Sequence, residues 1–432
     1  MNQPTTPPRS PASEKAECSV QNEHKCKPQD IYYYPPEIAN DLQGVNLPDE
    51  IKAECFACAW EYTRCVIPQY TNWTRYVAFM RTIIIGIIAE FKGHMVDVSA
   101  GDEILGYNLQ DVLDGLFKGT VGHELMCREY RSFLLITSEK TSEKRSGELF
   151  RRYVNSLAQS PRHWFRMRDC DALARFTVVS AMVCNDLDDA WFTDDQFEIL
   201  TELGDVLYDA VAFYKHRSEG ETNSTFAYMP PDLRLKAFHE ARELLWALDV
   251  AWRRRDYHAS VTNFIRFFGG PIHMMMRRYR FVEENLTIGK PEDENVVNQN
   301  RENFKLWNRV DARVQAQARI HRDEILRYRA LLARSDELMF PELADFLETG
   351  GEGVCDKCLY RDSYGAQRTF QFGGVQLCDD CKAVWIRWCE SLPARVAKAF
   401  PEVLDAPGHL GRGPTSKVKD LATSGYDYCI AA

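Results

Sequence analysis

The fold of this chain is decided by residues 160–211, which read SPRHWFRMRDCDALARFTVVSAMVCNDLDDAWFTDDQFEILTELGDVLYDAV. The pair Ser160-Pro161 is typical of a helix start, because serine caps the N–H groups of the first turn and proline tolerates the first helical position. Apolar residues then recur at three- and four-residue intervals. We therefore expect a long helix from Pro161 through Cys184.

A second helix follows after a short connection. Thr193 and Gln196 form the pattern of a capping box, in which each residue's side chain bonds the other's backbone N–H. This box predicts a helix that runs through about Arg217. A third helix is expected to begin at the prolines 230–231 and to run to about Arg253.

The same helical spacing extends outward on both sides. It covers the chain from Pro48 to about Phe346, with no convincing alternating strand of useful length. A helix over 257–284 should bend at Gly269-Gly270-Pro271, and 298–333 indicates a long charged helix. The expected fold is an all-α helical bundle with a small C-terminal zinc module of four cysteines.

Composition predicts four regions along the chain. Residues 1–30 are rich in Pro, Ser, Lys and Glu and should form a disordered arm. Residues 31–349 should form the helical catalytic domain, 350–400 a zinc-binding module with Gly, Cys and aromatic residues, and 401–432 a loose tail.

Charge and hydropathy exclude several classes of protein. The chain has 432 residues, of which 53 are basic and 63 acidic, so its net charge is −10, and 45% of it is apolar. This balance is wrong for a basic nucleic-acid coat, and the apolar content is too high for a wholly disordered chain. The longest apolar run, Ile83 to Ala89, is far shorter than the roughly 20 residues of a membrane helix. We expect a soluble cytoplasmic protein without a transmembrane segment.

Four of the 14 cysteines have metal-ligand spacing. They form the pattern Cys-x2-Cys-x19-Cys-x2-Cys, which lets two knuckles meet at one zinc ion: Cys355, Cys358, Cys378 and Cys381. Between residues 355 and 390 there are five basic and five acidic side chains. A neutral finger gains little from phosphate contacts, so structural zinc is favoured over nucleic-acid binding.

The first acidic cluster lies in the stretch from Asn185 to Asp189. On a helix, Asn185 and Asp189 would share a face, as would Asp186 and Asp189, and clustered carboxylates repel one another unless a hard cation neutralises them. Magnesium with a polyphosphate suits this pattern. The alternative is a helix end with solvated acids.

A second acidic cluster follows on the next helix. Glu202, Asp205 and Asp209 lie three and four residues apart and should project along one side. If the two helices are antiparallel, the two clusters could face each other across a cavity that binds magnesium through Asp186, Asp189, Asp205 and Asp209. The alternative is an exposed acidic stripe.

Cationic side chains suit a diphosphate. Arg277, Arg278 and Tyr279 follow the predicted bend, next to the methionines 274–276, and arginine binds phosphate bidentately. Phenylalanine rings precede the bend, and their faces stabilise carbocations. This mixture predicts a ligand with a diphosphate head and a hydrocarbon tail, although such stripes are more often plain core. Two further diphosphate candidates are Arg175 and Lys215.

A weaker group of titratable residues contains possible proton donors. Glu90, His94 and Asp97 lie close in sequence, and Glu124 follows further on. Scattered His and Glu residues on helices are usually surface or satisfied core residues. We keep His94 and Glu124 as reserve acids.

Over roughly residues 30–400, these motifs resemble the fungal α-ionylideneethane synthases of abscisic acid biosynthesis. The resemblance is carried by WEYTRC at 60–65, FRRYVN at 150–155, SPRHWFRMRDCDALAR at 160–175, CNDLDD at 184–189, FYKHR at 213–217, FFGGPIHMMMRRYRF at 267–281 and the two Cys-x2-Cys pairs. It implies that the all-α helical bundle resembles a terpene synthase core. It also implies a sesquiterpene synthase, a carbon–oxygen lyase acting on phosphates, that converts farnesyl diphosphate with magnesium to the hydrocarbon precursor of abscisic acid.

The chain departs from general class I terpene synthases. Those carry Asp-Asp-x-x-Asp and Asn-x-x-x-Ser-x-x-x-Glu motifs, whereas here Asp189 and Thr193 stand where the serine and glutamate would be. Phe213 occupies the third position of the Asp205 and Asp209 helix. Only Arg278-Tyr279 resembles the family's Arg-Tyr pair directly.

The residues 186–189 also spell Asp-x-Asp-Asp, the motif with which class II cyclases protonate an alkene. An ionone-type ring closes between alkenes far from the diphosphate. We therefore expect ionisation, proton loss to a neutral polyene, reprotonation by an enzyme acid, cyclisation and a final proton loss. The acid needs a raised pKa in a dry cavity, and its candidates are Asp188, Glu124 and His94.

Two other functions remain open from the sequence. One is a zinc-finger regulatory or scaffolding protein whose helical body binds a protein partner. The other is a prenyltransferase, which would take isopentenyl diphosphate as cosubstrate.

Overall fold

The computed structural model describes residues 32–142, 144, 147–213, 216–217, 223–269, 272, 322–349, 355–360 and 374–405. The predicted arm over 1–30, Lys215, the stretch with Arg277, Arg278 and Tyr279, and the tail after residue 405 lie outside the described residues. The described chain is helical almost throughout, so the all-α prediction is confirmed.

The first part of the body contains five helices and one small hairpin. The helices are α1 (Asp49–Val66), α2 (Trp73–Phe91), α3 (Leu109–Phe117), α4 (His123–Lys140) and α5 (Glu148–Val154). Strands β1 (Glu103–Ile104) and β2 (Tyr107–Asn108) pair antiparallel just before α3. Helix α2 carries the apolar run from Ile83 to Ala89 and packs against α1, α3 and α4, so its isoleucines lie in the core.

The stretch quoted first forms three helices rather than two. They are α6 (Pro161–Ala172), α7 (Ala174–Val183) and α8 (Asp194–Val211), followed by α9 (Pro231–Ala251) and α10 (His258–Phe268). The N-cap at Ser160 is confirmed, since its side chain accepts from the backbone N–H of His163. The capping box of Thr193 and Gln196 is confirmed as well.

The expectation of one continuous helix through Cys184 is wrong. Leu173 has a left-handed backbone, with φ of 56°, and separates α6 from α7. The side chain of Asp169 on α6 accepts from the backbone N–H of Arg175, at 2.8 Å. This bond satisfies an N–H of the first turn of α7, which a continuous helix would have bonded internally.

The remaining described helices follow the long gap. They are α11 (Arg322–Leu332), α12 (Ser335–Leu338), α13 (Pro341–Thr349), α14 (Asp379–Glu390) and α15 (Leu392–Ala399). Helices α14 and α15 follow the second cysteine knuckle and pack on the body. The indole of Trp385 is fully buried and stacks on Phe165, with ring centroids 5.5 Å apart. None of the described helices combines the length and the apolar character that are needed to cross a bilayer.

The centre of the body is built around α8. This helix packs against α6, α7, α9 and α10, while α4 packs against α2 and α6. The two groups of helices share one continuous apolar core. The space left between α2, α4, α6, α8 and α10 is where charged and apolar side chains meet.

Candidate functional site

A cavity lies between helices α1, α2, α4, α6, α8 and α10. One part of its wall is apolar and is lined by Tyr62, Ile83, Ile87, Phe133, Phe268 and Ile272. Five of these side chains come from helices α1, α2, α4 and α10, and the sixth, Ile272, follows α10 in the sequence. Such a wall suits a hydrocarbon chain, because it offers dispersion contacts and no hydrogen bonds.

The other part of the cavity wall is polar. It is lined by Glu90, Lys140, Arg168, Asp171, His216 and Asn223. Lys140 is the last residue of α4, and Arg168 and Asp171 lie in the last two turns of α6. The helix ends therefore bring these side chains together, and we call this set the polar end of the cavity.

The charges at the polar end are paired. The Nζ atom of Lys140 lies 2.6 Å from Oδ1 of Asp171, and Asn223 also donates to Asp171. Arg168 donates to Oδ1 of Asp209 at 2.7 Å. Because buried charges are stable only when paired and hydrogen-bonded, this network holds the polar end in one arrangement.

Burial and neighbouring charges shift the pKa values of two side chains near the polar end, Arg168 and Asp205. Burial disfavours the cation of Arg168, but the nearby carboxylates of Asp209 and Asp205 outweigh it, so the pKa of Arg168 lies well above its usual value. Burial raises the pKa of Asp205 well above its usual range, although Arg168 acts against this. The Oδ2 atom of Asp205 makes no hydrogen bond within the described residues. Burial therefore favours the protonated form of Asp205 over its carboxylate.

The second acidic cluster lies on α8 as predicted, but it is not an exposed stripe. Glu202, Asp205 and Asp209 are all at most 2% exposed. Glu202 is taken up by the C-terminal helices, since Arg395 donates to both of its oxygens at 2.7 Å. Asp205 and Asp209 remain beside Arg168, which lines the cavity.

The first acidic cluster does not lie on a helix, because α7 ends at Val183. Asp186 has a left-handed backbone, with φ of 56°, and accepts from Thr71 and Asn72. Asp188 is paired with Arg75. The shared helix face that the sequence predicted for Asn185 to Asp189 is therefore wrong.

The two acidic clusters lie toward opposite ends of α8. At about 1.5 Å per residue, Asp209 lies about 22 Å along the helix from its first residue, Asp194. Asp189 precedes that first residue and is exposed. One magnesium cluster cannot contain both Asp209 and Asp189, so the two clusters are separate candidates.

Three other predicted site residues do not line the cavity. Arg175 is buried, but its guanidinium is paired with Asp169, with Nε 3.2 Å from Oδ2. His94 and Glu124 are exposed on the surface. Neither of these two reserve acids lies in the dry surroundings that an alkene-protonating acid requires.

The four spaced cysteines come together in an arrangement that could hold a metal ion. Their Sγ atoms all lie within 4.8 Å of one another, and those of Cys355 and Cys378 are 3.7 Å apart. Tetrahedral zinc with Zn–S bonds of about 2.3 Å places sulfurs about 3.8 Å apart, whereas a disulfide needs about 2 Å. A backbone hydrogen bond from Lys357 contributes most to lowering the pKa of Cys355 to about 7. The cysteine geometry fits zinc.

Sequence reasoning missed part of the polar end. Lys140 and Asn223 stand in no recognisable motif, and more than 80 residues separate them. Glu90 was noticed only as one of several scattered acids. These residues meet because α2, α4 and α6 end at the same place, which a single sequence does not reveal.

The chain is similar to known fungal proteins along most of its length. A family model described as alpha-ionylideneethane synthase aba3 matches residues 30–402. Alpha-ionylideneethane synthase aba3 of Botryotinia fuckeliana strain B05.10 is 69% identical over 87% of this chain and 84% of its own length. Alpha-ionylideneethane synthase abl3 of Leptosphaeria maculans is 64% identical, over 87% of both chains. A protein of the same name from Pyricularia oryzae strain Y34 is 58% identical over 88% of this chain and 84% of its own length.

Proposed function

Because this chain belongs to the family of fungal α-ionylideneethane synthases, we propose that it converts farnesyl diphosphate to α-ionylideneethane in abscisic acid biosynthesis. The reaction class is that of a carbon–oxygen lyase acting on phosphates. The observation that carries the proposal is the cavity, with an apolar wall on one part and paired charges on the other. The relatives' names describe synthases, and nothing in them favours the regulatory zinc-finger alternative.

The cavity suggests how the substrate is oriented. The prenyl chain lies along the apolar wall, where Phe133 and Phe268 offer ring faces to carbocations. The diphosphate lies at the polar end, where Arg168 and Lys140 donate to its oxygens. Farnesyl diphosphate therefore binds with its charged head between α4 and α6.

The ion pairs of the polar end explain how this charge is accommodated. In the structure, Lys140 is paired with Asp171 and Arg168 with Asp209. If a diphosphate took over the two cations, the carboxylates of Asp171 and Asp209 would be left to hold magnesium. Magnesium bound there would neutralise the diphosphate as the carbon–oxygen bond breaks. Arg175, Lys215, Arg277, Arg278 and Tyr279 remain further candidates for the diphosphate.

The ring requires a proton donor, and the polar end has better candidates than the surface. Burial raises the pKa of Asp205 well above its usual range, and Glu90 lines the cavity itself. We place the acid that reprotonates the neutral polyene among these two, ahead of Asp188, Glu124 and His94, which requires the polyene to fold so that its far alkene reaches the polar end. A carboxylic acid in an apolar cavity has the high pKa that alkene protonation needs.

The direct test of the function is an incubation of purified, zinc-replete protein with farnesyl diphosphate and magnesium. The extract is analysed by gas chromatography and mass spectrometry, with and without a chelator at a concentration that leaves zinc bound. We expect a cyclic C15 hydrocarbon that is lost when magnesium is removed. A folded protein that yields no hydrocarbon would contradict the proposal, and a longer diphosphate formed with isopentenyl diphosphate would indicate a prenyltransferase.

A pair of matched variants tests which acidic cluster holds magnesium. We expect Asp209→Asn to lower turnover at least about a hundredfold and to raise the magnesium concentration needed for half-maximal rate, because a carboxylate ligand is lost. Asp189→Asn, the same change in the exposed loop, should leave both nearly unchanged. The opposite result would assign the metal to the loop of residues 185–189.

A further inference from the structure

A second cluster of metal-ligating side chains lies away from the cavity and from the four zinc-site cysteines. It joins the end of α3 to the beginning of α4 and consists of Asp114, His123 and Cys127. One carboxylate oxygen, one ring nitrogen and the thiol sulfur all lie within 4.8 Å of one another. Neither the cavity nor the proposed reaction uses any of these side chains.

The positions of the three residues follow from the local fold. His123 and Cys127 lie four apart at the start of α4, so they occupy the same face of adjacent turns. Asp114 lies in the last turns of α3, and a tight turn through Gly119, with φ of 88°, returns the chain. The Nε2 atom of His123 lies 2.9 Å from Oδ1 of Asp114. The packing of α3 against α4 thus brings an oxygen, a nitrogen and a sulfur ligand atom close together.

We propose that Asp114, His123 and Cys127 bind one divalent transition-metal ion of the zinc type, separately from the four-cysteine site. A thiolate and an imidazole favour zinc or cobalt over magnesium. The ion, one carboxylate and one thiolate sum to zero charge, so the site is electrically balanced.

The surroundings of the cluster fit such an ion. Gln110 donates to Oδ1 of Asp114, the same oxygen that lies next to His123, and accepts from Arg131 at 2.9 Å, so it orients the carboxylate as outer-shell partners do. Cys127 is buried, whereas about a third of the side chains of His123 and Asp114 is exposed. The ion therefore has a path from solvent and an open fourth position for water, as in zinc sites with three protein ligands.

Two features make this site weaker than the four-cysteine site. Lys118 lies 3.8 Å from Asp114, although 76% of its side chain is exposed and can turn away. Burial raises the pKa of Cys127 to about 11, so binding has to displace a proton from the thiol. An ion held there would link α3 to α4, the helix that carries Phe133 and Lys140 of the cavity.

The test is a cobalt titration of the full-length protein with zinc already bound at the four-cysteine site. The wild type should bind one cobalt ion per chain, with a thiolate-to-cobalt absorption band, while native mass spectrometry shows that the zinc remains. Cys127→Ser should lose the band, and His123→Asn, a change at a partly exposed position, should bind cobalt about tenfold or more weakly. Cys65→Ser, a change at an exposed cysteine elsewhere, is the matched control and should behave as the wild type.

Three results would overturn the proposal. They are a wild type without cobalt–thiolate absorption, a band that persists in Cys127→Ser, and cobalt uptake that only replaces the zinc. Circular dichroism of each variant establishes that it is folded, so that a lost band reports the ligand rather than the fold. A wild type without the band would mean that Asp114 and His123 form an ordinary ion pair.

Discussion

Arg168 is the side chain on which the polar end of the cavity depends. It lines the cavity, lies 3% exposed and is paired with Asp209 and Asp171. The guanidinium carbon of Arg168 lies 5.5 Å from the centre of the Tyr208 ring. Removal of Arg168 would leave the buried carboxylates of Asp209 and Asp171 with fewer partners, which costs more than the loss of a surface ion pair.

Replacement of Arg168 tests this role. We expect Arg168→Met to lower the free energy of unfolding by about 3–5 kcal/mol, because a buried ion pair is broken from one side. Arg162→Met on the same helix is the matched control, since Arg162 is paired with Glu198 at the surface, and it should cost at most about 1 kcal/mol. Urea unfolding measures both, and equal losses would contradict the buried network.

Glu54 makes the stability depend on pH. Burial raises its pKa to about 7, whereas an unfolded glutamate titrates near pH 4.3. The folded state therefore binds more protons than the unfolded state between these values, and stability falls as the pH rises through this window.

Comparison with Glu54→Gln isolates this effect. Between pH 5 and pH 8, we expect the wild type to lose about 1–2 kcal/mol more of its unfolding free energy than the variant loses. The value is discounted for the partial access of solvent to Glu54. Urea unfolding at several pH values measures it, and parallel pH profiles for the two proteins would show that Glu54 titrates normally.

At the scale of helices, the local signals predicted starts better than ends. Ser160 with Pro161, and Thr193 with Gln196, start α6 and α8 because caps act through neighbouring residues alone. The break at Leu173 is accompanied by a hydrogen bond from the backbone N–H of Arg175 to the side chain of Asp169. No local sequence pattern predicts this bond. The shared face predicted for Asn185 to Asp189 is wrong because these residues follow the end of α7 at Val183, and the expected helix itself reached only to Cys184.

Helix α14 joins the cysteine module to the body through one large side chain. Trp385 is buried against Phe165 of α6, and its neighbour on the same helix, Val384, is 44% exposed. Arg395 of α15 adds a bidentate pair to Glu202 of α8. The module therefore packs on α6, which carries Arg168 and Asp171 of the polar end, and on α8, which carries Asp209.

This contact predicts a large effect of Trp385. Trp385→Ala should lower the unfolding free energy by about 3–5 kcal/mol, because it leaves a cavity at the junction. Val384→Ala, the adjacent exposed change, should cost at most about 0.5 kcal/mol. Thermal unfolding of the zinc-bound proteins measures the difference. A small effect of Trp385→Ala would mean that this contact between the module and the body contributes little to stability.

For the molecule as a whole, the sequence predicted the class of fold and the cluster of four cysteines, but only part of the cavity. Helical periodicity and cysteine spacing are local patterns, so α8 and the four-cysteine cluster could be found from the sequence. The meeting of Lys140 with Asp171, and of Arg168 with Asp209, depends on how helices pack. The second acidic cluster was found because its members lie on one helix, whereas its separation from the first became evident only in three dimensions.

In the proposed reaction, farnesyl diphosphate bound in the cavity is converted to a cyclic hydrocarbon by way of a neutral polyene that the enzyme reprotonates. The substrate loses one proton after ionisation, and the resulting polyene gains another from an enzyme acid that exchanges with solvent. The most direct measurement is therefore the reaction of protein equilibrated in D2O with farnesyl diphosphate and magnesium, followed by mass spectrometry of the product. We predict a cyclic C15 hydrocarbon one mass unit heavier than the product formed in H2O. An unlabelled hydrocarbon would contradict reprotonation, and the absence of any hydrocarbon from folded protein would contradict the proposed function.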